Sequence, residues 1–105
     1  MTFRVRLTRE AEADLERLFD FVLERELERP GGDFELAERA LAAIRAGIAT
    51  LQTSPFTCRK AGSSSFLREL IVPFGHTGYV ALFEIAGSNE VIVCAVRHQL
   101  EDDYH

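Results

Sequence analysis

A chain of 105 residues, 47% hydrophobic and 28% charged, carries enough apolar material for one core and too little length for two. Residues 1–105 therefore read as a single domain, and seventeen acidic against twelve basic residues give a formal net charge of −5, which argues against a protein that works mainly by wrapping phosphates. No run approaches the roughly 20 apolar residues of a membrane span, and Met1-Thr2-Phe3-Arg4-Val5-Arg6 lacks the apolar centre of a signal peptide, so a cytoplasmic protein is expected.

Phe3, Val5 and Leu7 alternate with Arg4, Arg6 and Thr8, the period of a short strand with one buried face. Thr8 is placed to cap a helix, with Glu10 near its positive end. Ala11, Leu15, Leu18, Phe19, Val22 and Leu27 then recur at three- and four-residue spacing, while Glu12, Glu16, Asp20, Glu24 and Arg25 fall mostly elsewhere around the helix. Pro30-Gly31-Gly32 breaks it. Asp33 is a good cap for a second helix, whose stripe is Ala37, Ala40, Leu41, Ile44, Ile48 and Leu51. The small residues Ala40, Ala43 and Gly47 would let it approach a neighbour closely, and the two helices read as an antiparallel hairpin.

Thr53-Ser54-Pro55 ends the helical pattern, and the stretch to Gly62-Ser63-Ser64-Ser65 reads as a polar loop, basic at Arg59-Lys60. Residues 66–72, 78–85 and 90–96 are rich in β-branched and aromatic side chains. They are separated by Pro73-Phe74-Gly75 and Ala86-Gly87-Ser88-Asn89, connections too short for a crossover helix, so these strands pair antiparallel. The order β-α-α-β-β-β predicts an α+β fold with a helical hairpin on one face of a twisted, mainly antiparallel four-stranded sheet.

Chemistry collects where the run Val91 to Val96 gives way to Arg97-His98-Gln99-Leu100-Glu101-Asp102-Asp103-Tyr104-His105. Arg97, His98 and Tyr104 can be read as an acid/base cluster, as a tail fastened to the sheet rim, or as an interface for a partner. Glu101-Asp102-Asp103 read as a solvated turn, and His98, Asp102 and His105 are too loosely spaced to define a ligand set, so neither metal nor cofactor is expected. Cys58 and Cys94 lack Cys-x-x-Cys spacing, and Cys94 reads as a small core residue. Arg68, inside an apolar strand, points to the solvent face, pairs with a carboxylate such as Glu84, or anchors a partner. Arg59 and Lys60 are loop charges or a basic contact patch, and His76 is an exposed turn residue. Most of the phenylalanines, Phe19, Phe34, Phe66 and Phe83 among them, are expected in the core; Phe56 and Phe74, beside proline and glycine, are candidate partner-facing anchors. No Gly-rich phosphate loop or Ser-His-Asp order is present.

Taken in order, Leu7-Thr8-Arg9-Glu10-Ala11-Glu12-Ala13-Asp14-Leu15, Leu51 with Pro55, Leu67-Arg68-Glu69-Leu70, Tyr79 to Ile85, and Ala95-Val96-Arg97-His98-Gln99 resemble the ParE branch of the RelE/ParE toxin superfamily across nearly the whole chain. The resemblance implies a small toxin of a type II toxin-antitoxin (plasmid stabilisation) system, neutralised by a ParD-like or related cognate antitoxin and acting on DNA gyrase by protein binding, without binding DNA itself. RelE-like members instead cleave mRNA at the ribosome. In that branch one arginine follows the third-strand tyrosine and another precedes the tail tyrosine; Val80 and Leu100 stand at those positions here. The resemblance thus favours a binding inhibitor whose partner-facing residues are Arg59, Lys60, Arg68, Phe56, Phe74, Arg97, His98 and Tyr104. A nuclease using His98, Tyr104 and Arg97, or a member that has lost toxicity, is the alternative.

Overall fold

The computed structural model describes residues 2–62, 64 and 66–100. It contains a strand β1 (Arg4–Leu7), helices α1 (Arg9–Glu28) and α2 (Leu36–Ala49), and strands β2 (Arg59–Lys60), β3 (Leu67–Phe74), β4 (Thr77–Ala86) and β5 (Glu90–His98), with two short 3-10 turns between α2 and β2. The sheet order is β1-β5-β4-β3-β2. The three long strands pair antiparallel as expected, and β1 runs parallel to β5.

One correction concerns the polar stretch after α2, expected as a loop. Arg59 and Lys60 pair with Glu69 and Arg68 and add a fifth, two-residue strand at the sheet edge. Two residues carry too little alternation to be seen as a strand in sequence. β3 also runs through Pro73 and Phe74, read above as turn residues. Proline is tolerated there because β2 covers the outer edge of β3 only at residues 68 and 69. The turn itself is Gly75-His76, with Gly75 at φ 62°.

The core lies between the hairpin and one face of the sheet. Leu15 and Leu18 of α1 and Ala40, Ile44 and Ile48 of α2 close on Val72, Tyr79, Ala81, Phe83, Val91, Val93 and Val96. Of the phenylalanines expected inside, Phe83 is fully enclosed, Phe19 is half-buried, and Phe34 and Phe66 are exposed because they flank their helix and strand rather than lying within them. Gly47 permits the contact of α2 with β3: a Cβ there would sit 2.8 Å from Val72 Cγ2.

Both helix starts are side-chain devices. Thr8 caps α1, its hydroxyl accepting from Ala11 N at 3.1 Å. Asp33 does not cap α2 directly. It stands outside the N-cap Glu35, accepting from Glu35 N at 3.0 Å and pairing with Arg39, and α2 begins at Leu36.

At the other end of α1 the apolar stripe fails. Leu27 is 58% exposed and Glu26 is 2% exposed, because this last turn overhangs the link to α2 rather than the sheet. Glu26 accepts from Asp33 N at 2.9 Å, pairs with Arg29, and lies 3.5 Å from Arg25 Nε. The Arg29 hydrogen bond, followed by the Asp33 N–H, holds its carboxyl down at about 2. The link passes so close to the helix that a Cβ at Gly32 would fall 1.8 Å from Glu26 O. Only glycine fits there.

Candidate functional site

The junction of β5 with the hairpin is shaped by a bulge. Leu82 faces Ala95 and Phe83 faces Val93, so Cys94 faces no residue of β4. Side chains alternate along a strand, and one inserted residue inverts the alternation beyond it. Val91 and Val93 face the helices before the bulge; Val96 and His98 do so after it. Cys94 O accepts from Thr8 Oγ1 at 3.2 Å, and Val93 O from Thr8 N at 2.9 Å, so the residue that starts α1 also holds the bulge.

Beyond β1 the free edge of β5 is met by Asp14. Its Oδ2 accepts from Val96 N at 2.9 Å and pairs with the Arg97 guanidinium, and its Oδ1 lies 3.9 Å from Arg17. Arg97 thus reaches over the sheet edge to α1, and its side chain is 25% exposed. His98 goes the other way. Its Nδ1 accepts from Leu100 N at 3.1 Å, which puts the proton of a neutral ring on Nε2, 3.0 Å from Thr77 Oγ1. The ring stands edge-on to Tyr79, 5.4 Å between centroids, and Tyr79 in turn packs against Phe74 at 6.3 Å. Burial pushes the Tyr79 hydroxyl above the usual tyrosine range, with Arg25 acting in the opposite sense.

These side chains form the sheet wall of a groove of about 760 Å³ whose other wall is α1. Its floor is apolar, from Leu18, Val22 and Tyr79, and its rim carries Arg17, Arg25, His76 and His98. Phe21, 60% exposed, lies on the helix wall beneath Arg25, whose guanidinium is 5.9 Å from the ring centre. None of the described lining residues is acidic, in a chain that is acidic overall. Phe74, expected as an exposed anchor, is half-buried in the groove wall, and Leu100 is 72% exposed at its mouth. Tyr104, like Asp102 and His105, lies outside the described residues.

The other candidates gather at the far end of β3. Arg68 does not pair with Glu84: it stands opposite Phe83, so the two side chains leave opposite faces of the sheet. Instead its Nη1 donates to Cys58 O at 2.7 Å, and its guanidinium covers the Phe56 ring at 5.5 Å. Phe56 is 63% exposed and edge-on to Phe3 at 5.9 Å. Arg59 is paired with Glu69, and Lys60 is exposed. Arg68 and Phe74 are six residues apart on one strand, about 20 Å. The two groups cannot meet around a small ligand, but one elongated partner can reach both.

The sequence reading missed Arg17, Phe21 and Arg25 as site residues, although their four-residue spacing marks a second stripe on α1. It named Asp14 only as part of a motif. No group of three or more His, Cys, Asp or Glu among the described residues is arranged to hold a metal ion, and no described helix is long and apolar enough to cross a membrane.

Comparison with known proteins completes the picture. The family model for the ParE toxin of the type II toxin-antitoxin system, parDE, matches residues 5–103. Toxin RelE1 of Caulobacter vibrioides is 32% identical over 101 residues, 96% of this chain and 98% of the relative. The fold is shared with the chromosomal ParDE system of P. aeruginosa, at TM-score 0.73 and 20% identity over 92% of this chain and 96% of that one. It is shared also with the RelBE2 toxin-antitoxin complex of Mycobacterium tuberculosis, at TM-score 0.60 and 22% identity over 94% and 100%. With the family model and a relative above 30% identity both spanning nearly its full length, the chain belongs to the ParE toxin family of type II toxin-antitoxin systems.

Proposed function

We propose that this toxin acts by binding DNA gyrase rather than by cleaving RNA, and that a cognate antitoxin, ParD-like or related, silences it by covering the groove between α1 and the sheet. The observation that carries the first part is the commitment of Arg97 to Asp14, opposite a buried Val80. Cleaving an RNA phosphodiester needs cations aimed at the phosphate beside an acid and a base. Val80 is 4% exposed and apolar, and Leu100 brings no charge to the groove mouth. An apolar floor with a polar rim is instead what an amphipathic protein segment recognises. Both structural neighbours come from toxin-antitoxin systems, which supports an antitoxin here. An antitoxin that wraps the domain would reach Phe56, Arg59, Lys60 and Arg68 at the far end as well as Phe74, Arg97, His98 and Tyr104.

Purified protein is expected to inhibit gyrase supercoiling, to lose that effect with saturating antitoxin, and to leave mRNA intact on ribosomes. Antitoxin should also raise the unfolding midpoint, since a ligand bound only to the folded state stabilises it. The second reading, a RelE-type nuclease, is favoured by one feature, the imidazole of His98 in the groove wall. Position-specific cleavage lost in His98→Asn or Tyr104→Phe would establish that reading and overturn ours.

A further inference from the structure

We propose that in the free toxin the far end of the sheet, where β2 meets β3, is a contact for single-stranded nucleic acid, with Lys60 and Arg68 taking phosphates and Phe56 and Phe66 taking bases. The site is separate from the groove and goes beyond the binding of gyrase and antitoxin. Lys60 stands directly opposite Arg68 across the β2-β3 pair, so the two side chains leave the same face of the sheet with their Cβ atoms about 5 Å apart. Like charges so placed repel each other and weaken the pairing. The adjoining Arg59 and Glu69 leave the other face and pair with each other. Among the described residues neither Lys60 nor Arg68 makes an ion pair, and Arg68 is held only by Cys58 O and the Phe56 ring. An anion bridging the two cations removes the repulsion.

The rings decide which anion. Phe56 and Phe66 are 63% and 76% exposed, more than any other described phenylalanine, and both are held in place. Phe56 packs edge-on against Phe3 at 5.9 Å and lies under the Arg68 guanidinium at 5.5 Å. The backbone at Phe66 is fixed by Ser64, whose hydroxyl accepts from Phe66 N at 3.1 Å and from Leu67 N at 3.0 Å. Two positions separate Phe66 from Arg68, about 7 Å of extended chain. An acidic peptide would use the cations and leave the rings in water, and a duplex keeps its bases stacked on one another. A single strand uses both, with phosphates on the cations and unstacked bases on the rings. This chemistry is common to RNA and DNA strands. Two cations on a chain of net charge −5 place the affinity at the weak end of the nonspecific range, about 0.1 mM.

The test is fluorescence polarisation of labelled oligothymidylate and oligouridylate, about ten nucleotides each, beside a duplex and a Glu/Asp-rich peptide of similar length. At about 50 mM salt at least one strand should bind, and the tighter of the two names the sugar. The duplex should bind several-fold more weakly. Log affinity for the strand should fall with log salt at a slope of about −1.4, as for two phosphates of a single strand, and Lys60→Gln should halve that slope. Phe66→Ala and Phe56→Leu should each weaken binding about fivefold or more; both rings are exposed, and the unfolding midpoint of each variant checks that the chain stays folded. No binding of either strand overturns the proposal, as does equal binding of strand and duplex, or strand affinity that survives the loss of both rings. Tighter binding of the acidic peptide than of either strand, lost in Lys60→Gln, also overturns it and assigns the patch to a protein partner.

Discussion

The two flanks of α1 carry opposite charge. Toward the sheet lies the groove with Arg17, Phe21 and Arg25 and, among the described residues, no carboxylate. Toward α2 lies a shallower cleft, about 340 Å³, lined by Glu12, Glu16 and Asp20 over Leu15, Phe19 and Leu41, with Arg45 reaching across to Glu12 at 3.9 Å. Each set repeats every four residues, and the two stripes stand about 140° apart on the helix. A net charge of −5 is therefore an average over faces that would recruit different partners. It weighs against nonspecific phosphate binding by the whole surface, and it says nothing about what one groove attracts.

The largest test of this division is Gly78→Ala. A Cβ there would lie 2.4 Å from Val72 O, inside the β3-β4 ladder that forms the sheet wall. Backbone cannot yield as a flexible side chain can, and we expect a loss of about 3 kcal/mol and a drop in Tm of more than about 10 °C. Amide exchange should rise first along β3, β4 and the groove. Equal loosening of the cleft between the helices would show that the two flanks are one cooperative unit.

Asp14→Ala comes next. Asp14 sits between the flanks and ties α1 to β5 through Val96 N and Arg97. Removing a charged acceptor of two such bonds, discounted because both partners are partly exposed, should cost about 2 kcal/mol in urea unfolding. A loss below about 0.5 kcal/mol would mean that the clip adds little and that packing alone sets the groove width.

Charge reversal then separates the flanks by function. The double variant Arg17→Glu, Arg25→Glu should weaken antitoxin binding at least tenfold, about 1.4 kcal/mol, while Glu12→Lys, Glu16→Lys changes it by less than about threefold. The opposite order, read by calorimetric titration, would move the antitoxin to the helical cleft.

The last test is read in acid and concerns Glu26, which fixes the link beyond both flanks. Its folded carboxyl is held down at about 2 from an ordinary value of 4.5. A carboxylate depressed on folding contributes stability that is fully present above its unfolded value and is lost as pH falls through the folded one. Stability should therefore decline between about pH 4.5 and 2, and Glu26→Gln should flatten that part of the profile. An unchanged slope in the variant would assign acid unfolding to other carboxylates.

Local pattern alone determined much of this protein. The apolar alternation of Phe3 to Leu7, the cap at Thr8, the stripes of Leu15, Leu18, Ile44 and Ile48, and three strands with short connections fixed the element order and the hairpin-on-sheet architecture, because each is a repeat that fits one kind of element. Candidate residues at the β5 end were legible by chemical type. Their grouping was not. The bulge at Cys94 decides that His98 enters the groove while Arg97 turns over the sheet edge to Asp14, eighty-three positions away in the chain. The antiparallel register sets Arg68 opposite Phe83 and so denies it Glu84. The overhang of α1 buries Glu26 and exposes Leu27. In each case the deciding contact joins segments distant in sequence, and a one-residue shift in pairing or packing reverses which side chain faces inward, so only the tertiary structure could place them.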